Sequence, residues 1–312
     1  MFHAADNIFC LCATAVAATQ VIVPGFEPVS TMQVMAAERI STVLLVPTMI
    51  NMIVNHPDLD EYDLDSLAHV LYGASPMPEG VLRRAMTALS GVEFVQAYGQ
   101  TEAGPVLTML PFRDHVLEGP GSERVRSAGK PIPCVDLEIR DHDDQPLAPG
   151  EVGEICARGP NLMSGYRNLP EVSETTLRGG WLHTGDGAYM DEHGYVYIVD
   201  RLKDVIVSGG ENVYSAETEN AVHQHPAVAE CAVIGVPDEQ WGERVHAVVR
   251  LKPDETLTEE ALIAHCHTLI AGYKCPRSVT FREEPLPLSG AGKILKRELR
   301  APYWEGRSRG VN

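Results

Sequence analysis

Short apolar runs alternate with amphipathic stretches through the first 200 residues of this 312-residue chain, and no other feature restricts the fold as strongly. Apolar runs at 42–46, 70–72, 93–96, 135–139 and 151–157 have strand length and β-branched content. Between the early ones, 31–38, 48–56 and 78–89 repeat apolar residues at helical spacing. The last of these opens on Pro78, in the first turn, where a missing N–H costs least. Strand-helix alternation of this kind predicts an α/β architecture. The stretches 117–133 and 141–150 carry Gly, Pro and Asp and read as surface connections.

After a β-branched and aromatic run at 195–199 comes the charged sequence Asp200-Arg201-Leu202-Lys203-Asp204, which we take as a domain boundary. The expected domains are 1–200 and 201–312, in keeping with about two domains for this length. The second reads as small and α+β: helix 215–224, strands 229–236 and 246–251, a helix from the N-cap Thr258 to about 270, a strand near 279 and a helix at 294–300.

With 44% hydrophobic and 22% charged residues the chain is neither disordered nor a disulfide-stapled miniprotein. Its 43 acidic against 25 basic residues give a net charge of −18, which argues against general nucleic-acid binding. The balance reverses over 272–312, where nine basic residues stand against four acidic ones. Such a segment is either a solvated face or a source of positive charge for a phosphorylated ligand. Seven scattered cysteines without a Cys-x-x-Cys pair read as small buried residues in a reducing, cytoplasmic setting. The apolar run 8–23 is too short to span a membrane comfortably, so no transmembrane segment is expected. It reads instead as a buried helix leading to a strand that ends at Pro24. The pairs His223/His225 and His265/His267 lack the spacing of one helical face and read as solvated.

Familiar phosphate loops are missing. Gly290-Ala291-Gly292-Lys293 suggests a P-loop, yet Pro287 and Ile294 stand where that motif needs Gly and Ser/Thr. Five other segments carry more. Gln96-Ala97-Tyr98-Gly99-Gln100-Thr101-Glu102 leaves a strand at the end where α/β folds bind ligands. Thr101 offers a hydroxyl to phosphate and Glu102 a hard oxygen to Mg²⁺. Trp181-Leu182-His183-Thr184-Gly185-Asp186-Gly187 presents a carboxylate on a glycine-flanked turn, suited to ribose hydroxyls. The charged boundary follows, then Ser208-Gly209-Gly210-Glu211-Asn212-Val213-Tyr214, whose glycines permit close backbone approach. Last comes Pro287-Leu288-Ser289-Gly290-Ala291-Gly292-Lys293-Ile294-Leu295-Lys296, a lysine on a glycine loop expected to be mobile.

In this order and spacing the set resembles the adenylate-forming superfamily of acyl-CoA synthetases, adenylation domains and firefly-type luciferases, and within it the fatty-acyl/aryl-CoA ligase branch. The resemblance implies a large domain with mixed sheets and a barrel-like part, represented here by its C-terminal portion, and a small mobile α+β domain. It implies that a small-molecule carboxylic acid attacks the α-phosphate of ATP with Mg²⁺, and that coenzyme A then takes the acyl group. By resemblance Tyr98 and Gly99 meet adenine, Thr101 binds phosphate and Glu102 holds Mg²⁺. Gly73, Ala74 and Ser75 line the adenine and acyl pockets, and Asp186 and Arg201 hold the ribose. Lys293 spans the acyl carboxylate and α-phosphate, Asp200 is the hinge, Gly209 and Gly210 line the pantetheine tunnel, and His3 gates it. Tyr273, Lys274 and Arg277 are candidates for the CoA phosphates.

Two departures qualify the resemblance. The family's Ser/Thr/Gly-rich loop ending in Pro-Lys-Gly, expected upstream of His3, is not in this sequence. The expectation is therefore a chain lacking the amino-terminal part, with apolar surface exposed where that part packs. Val207 stands where some aryl-CoA ligases have lysine, which favours a medium- or long-chain fatty acid. The alternatives are an aryl- or bile-acid-type ligase, and an inactive fragment that binds AMP or CoA. The sequence leaves oligomeric state and peripheral membrane contact open.

Overall fold

A computed structural model describes residues 4–290 and 292–305. His3, Ala291, Arg307 and Arg309 lie outside the described residues. The chain divides into two compact units, Met1–Thr184 with Ala188–Ile198, and Gly185–Gly187 with Val199–Asn312.

The first unit begins with α1 (Ala4–Ala15), α2 (Pro28–Ala37), β1 (Thr42–Leu45), α3 (Pro47–Val54), β2 (His69–Gly73), α4 (Glu79–Ala88) and β3 (Glu93–Tyr98). β1, β2 and β3 are parallel neighbours, each joined to the next through a helix, as the alternating pattern predicts. Met32, Ile50, Tyr72, Leu82 and Phe94 bring α2, α3, α4 and the sheet together in one core. Two short strands, β4 (Thr108–Leu110) and β5 (Lys130–Pro131), extend this sheet antiparallel. A second, four-stranded sheet takes β6 (Asp136–Arg140), β7 (Gly153–Arg158), then, after helix α5 (Pro170–Thr176), β8 (Leu182–Met190) and β9 (Val196–Arg201) in that order. The architecture is α/β with mixed sheets, and the barrel-like part is this open sheet rather than a closed barrel.

The second unit continues with β10 (Ile206–Ser208), β11 (Glu211–Val213), α6 (Ser215–His223), β12 (Val228–Asp238), β13 (Gly242–Leu251), α7 (Glu259–His267), β14 (Ser278–Arg282) and α8 (Lys296–Arg300). Its sheet runs β11-β10-β13-β12, with β14 parallel to β13. Side chains alternate across β12: Cys231 and Val233 join Ala221, Val222, Leu262 and Cys266 on the α6/α7 face, whereas Ala232, Ile234 and Val236 join Leu286 and Leu299 on the other. Burial on both faces explains why 231–236 is one unbroken apolar run. Thr258 caps α7 by accepting from the Ala261 N–H at 3.2 Å.

Three expectations are corrected here. The run 8–23 is not a buried helix and strand. α1 buries none of its residues, residues 18–23 form no strand, and Leu11, Val16 and Ile22 are exposed. The helix forms from local apolar and alanine-rich sequence, and none of its residues is fully buried. Residues 182–187 are not a turn. They lie inside β8, where Gly185 takes a φ of +73° and lets the strand keep its pairing. His265 is not solvated: its Nε2 lies 3.1 Å from the Ala221 carbonyl oxygen and its ring stands edge-on to His225, which ties α7 to α6. Four of the seven cysteines are buried as expected, Cys12 and Cys134 are exposed, and none is in a disulfide. No helix among the described residues is long and apolar enough to cross a membrane.

One buried histidine sets an acid limit. His246 is 3% exposed, with Nδ1 2.7 Å from Ser278 Oγ and Nε2 3.0 Å from Tyr303 Oη. Burial, and secondarily the Arg244 charge, push its pKa down from 6.5 to about 4. The unfolded chain therefore binds a proton that the folded chain refuses between those values, and stability falls as pH drops through this window. The loss reaches about 2–3 kcal/mol at pH 4. Urea unfolding from pH 7 to pH 4 should show that slope, and a His246→Gln variant should flatten it.

Candidate active site

In the first unit the site residues gather at the carboxyl ends of parallel strands. Gly73 on β2 pairs with Ala97 on β3, so the loops after both strands start side by side. The strands approach so closely that a Cβ on Gly73 would sit 2.1 Å from the Ala97 carbonyl oxygen. Gly99 is equally confined, 2.1 Å from the Pro105 carbonyl oxygen. Ala74 takes a φ of +67°, a strained value for a residue with a Cβ, and so turns the chain abruptly off β2 into Ser75. Gly73→Ala should cost about 1–3 kcal/mol, because both clashing groups are backbone. A thermal melt of that variant beside a Ser75→Ala control reads the difference.

Thr101–Ala103 forms a 3₁₀ turn ended by Gly104 at φ +65°. Thr101 is exposed, and Glu102 is half-buried. Asn161 holds the turn by donating from Nδ2 to the Ala103 carbonyl oxygen at 2.6 Å. Glu102 Oε1 accepts from Tyr166 Oη at 2.8 Å. Burial, and then that carboxylate, raise the Tyr166 pKa, so the phenol stays a donor. Neither Asn161 nor Tyr166 is marked by the motifs. Both sit in the stretch after β7 and reach Ala103 and Glu102 only through the fold.

In the second unit Asp186 and Arg201 meet: Nε lies 3.4 Å from Oδ1, with the carboxylate buried and the guanidinium half exposed. Lys293 shares their surroundings. Its pKa is lowered by burial first and the Arg201 charge second, against the opposing pull of Asp186. Ser289 and Lys293 are joined across the glycine loop. Ser289 N donates to the Lys293 carbonyl oxygen at 2.8 Å, and Lys293 N donates back to Ser289 Oγ at 3.2 Å. Leu288 and Ile294 form an isolated β-bridge across the base of this segment. A half-buried cation beside a second cation gains when an anion arrives, and a phosphate or carboxylate is such an anion.

Asp200 is buried with both carboxylate oxygens engaged. Oδ1 accepts from Arg201 N at 2.7 Å, and Oδ2 accepts from Ser215 N and Oγ, each at 2.6 Å. Ser215 Oγ in turn accepts from Lys296 Nζ at 2.5 Å, and Lys296 pairs with Glu219 at 2.7 Å. Glu219 and Asp200 raise the Lys296 pKa despite its burial. Gly209 and Gly210, at φ +63° and +87°, make the two-residue turn between β10 and β11. The Trp241 ring lies over Gly209, where a Cβ would come within 2.5 Å of it, and Arg277 stacks 4.5 Å from the same ring. Lys274 is paired with Glu217 at 2.7 Å, beside Tyr273.

The sequence matches two family profiles, "AMP-binding enzyme" over residues 1–167 and "AMP-binding enzyme C-terminal domain" over 217–293. A feruloyl-CoA synthase from Amycolatopsis is 42% identical over 97% of this chain and 60% of its own length. A medium/long-chain-fatty-acid–CoA ligase from Mycobacterium tuberculosis is 41% identical over 93% of this chain and 51% of its own. Among solved structures, the amide bond synthetase McbA from Marinactinospora thermotolerans superposes with a TM-score of 0.83 at 35% identity, covering 92% of this chain and 56% of that one. The chain thus spans about half to three fifths of the length of the proteins it matches. On the family match and the shared α/β fold, it belongs to the AMP-binding enzyme family.

Proposed function

We propose that this chain serves an ATP-dependent acyl-CoA synthetase, which joins a carboxylic acid to coenzyme A through an acyl-adenylate and releases AMP and pyrophosphate. The observation that carries the reading is Lys293, a cation disfavoured by burial and by Arg201 and set beside the Asp186 carboxylate. Adenylation brings two anions, the acid carboxylate and the α-phosphate, and a lysine point charge can neutralise both. Asp186, as an acceptor, suits ribose hydroxyls. In the first unit Tyr98 and the Gly73–Ser75 loop would receive adenine and the acyl chain, and Thr101 would receive phosphate. Glu102 offers one carboxylate oxygen beyond the one held by Tyr166, and one carboxylate with substrate phosphates is a donor set that suits the Mg²⁺ of Mg-ATP. Asp200 would be the hinge, and the Gly209-Gly210 turn would line the pantetheine path.

For the acid we propose a medium- or long-chain fatty acid, on Val207 and on the similarity to the fatty-acid–CoA ligase. The 42% identity to a feruloyl-CoA synthase favours an aryl acid as the second reading. Calorimetry of the 312-residue chain with AMP, ATP and CoA tests the nucleotide assignment. AMP should bind, and Lys293→Ala should weaken it about tenfold; identical isotherms for the two proteins would sink the role given to Lys293. Joining the chain to the amino-terminal part of the Amycolatopsis relative and assaying fatty, aryl and bile acids for pyrophosphate exchange and thioester decides the substrate. No exchange with any acid would leave the reading of an inactive AMP- or CoA-binding fragment.

A further inference from the structure

Three metal-ligating atoms from neighbouring strands converge in the first unit, and the adenylation reading uses none of them. Glu154 and Cys156 lie two apart on β7, so their side chains leave the same face. His183 comes from the adjacent β8. Its Nδ1 is 3.3 Å from Cys156 Sγ and 2.9 Å from Glu154 Oε2, and all three ligand atoms lie within 4.8 Å of one another. Cys156 is fully buried and His183 nearly so.

One ring nitrogen therefore serves two partners with opposite needs. If Nδ1 carries a proton, it satisfies the carboxylate and turns that proton toward the thiol. If it carries a lone pair, it accepts from the thiol and faces the carboxylate lone pairs. With Nδ1 protonated, Glu154 Oε2 accepts from it and from Arg178 Nη2 at 3.3 Å and the Cys156 thiol keeps only a weak contact, whereas one cation at the centre engages all three ligand atoms. Nε2 faces Asp144 Oδ1 at 3.7 Å, and Arg178 holds that carboxylate at 3.2 Å. In the metal-free site the nearer carboxylate, Glu154 at 2.9 Å, favours the proton on Nδ1, and an arriving cation moves it to Nε2, which faces Asp144.

The geometry points to Glu154, Cys156 and His183 as a binding site for a zinc-class divalent cation, with water completing the shell. A sulfur, nitrogen and oxygen set suits Zn²⁺ or Co²⁺ and not Mg²⁺ or Ca²⁺. Ordinary Zn–S and Zn–N bonds at tetrahedral angles place S and N about 3.6 Å apart. The observed 3.3 Å thus needs only a small opening. Binding converts the Cys156 thiol to thiolate and releases its proton to solvent, one per ion. Without the cation, burial and then Glu154 push the thiol up to about 12, so it remains a neutral core residue. The ion would fasten β7 to β8.

Cobalt(II) titration of the full 312-residue chain tests this without any assay of activity. The expected result is a near-ultraviolet thiolate-to-cobalt band that saturates at one ion per chain and is displaced by zinc. Cys156→Ser should abolish the band, and Glu154→Gln should weaken binding about tenfold. Exposed Cys12 and Cys134 could give a band of their own, so a C12S/C134S variant must retain it. No band in the wild-type chain, a band that persists in C156S, or one lost in C12S/C134S would overturn the assignment.

Discussion

Replacing Lys293 with alanine, in the chain joined to the amino-terminal part of its Amycolatopsis relative, should lower acid-dependent pyrophosphate exchange by about 10²–10³-fold. Thioester formation from supplied acyl-adenylate should change little. The split follows from where the cation acts. Adenylation gathers negative charge on the carboxylate and the α-phosphate together, whereas thiol attack on the adenylate begins after that charge has been distributed. In the proposed role Lys293 would enter the first step with its ammonium already disfavoured by burial and by Arg201. Neutralising the reacting anions therefore relieves the enzyme as well as the substrate, so lysine at this place works harder than one in water. Arginine should rescue poorly, because a planar fork does not deliver its charge to two reacting anions as a lysine point charge does. Equal loss of both half-reactions would contradict the role.

Lys296→Met should have the largest effect on folding. Lys296 is the shared partner of Glu219 and of Ser215, which itself serves Asp200. Methionine fills the same space and leaves the carboxylates without a counter-charge, which costs about 3–5 kcal/mol. Urea unfolding of the full chain reads this directly. Glu219→Leu with Lys296→Met should recover much of the loss, because the Glu219 charge is then gone and Asp200 keeps its bonds from Arg201 and Ser215. The pH dependence has a definite sign. The Lys296 pKa is raised above 10.5, so its contribution is complete below that value and disappears as pH climbs through the folded pKa. A change below about 1 kcal/mol in the single variant would mean that the pair is no better than a surface ion pair.

Lys296 also shows where the sequence stops being legible. The motif that ends on it drew attention to Lys293, three residues earlier, because a lysine among glycines has a local signature. The partners of Lys296 lie elsewhere in the chain, Ser215 being 81 residues away, and no local pattern announces them. Strand 229–236 was readable because burial on both faces leaves an unbroken apolar run over 231–236. The run 8–23 carries a similar signal, but apolar sequence reports what a segment prefers and not whether a neighbour is there to satisfy it. β8 escaped notice because Gly185, Asp186 and Gly187 interrupt it, and their local preference for a turn yields to pairing within the sheet. Tyr166 and Asn161 belong to the same class as Lys296, polar residues whose partners are supplied by tertiary structure.

The fit between Gly73 and the Ala97 carbonyl has a bearing on efforts to change what the chain accepts. Two of the loop positions nearest the expected acyl and adenine pockets, 73 and 99, have no room for any side chain. Randomising them would fill a library with misfolded members. Ala74 and Ser75 are the positions at which size can be altered, and at Ala74 the positive φ makes glycine and asparagine the easiest replacements. Diversity confined to 75, with small choices at 74, would therefore return more working variants than the same number of clones spread across the whole loop.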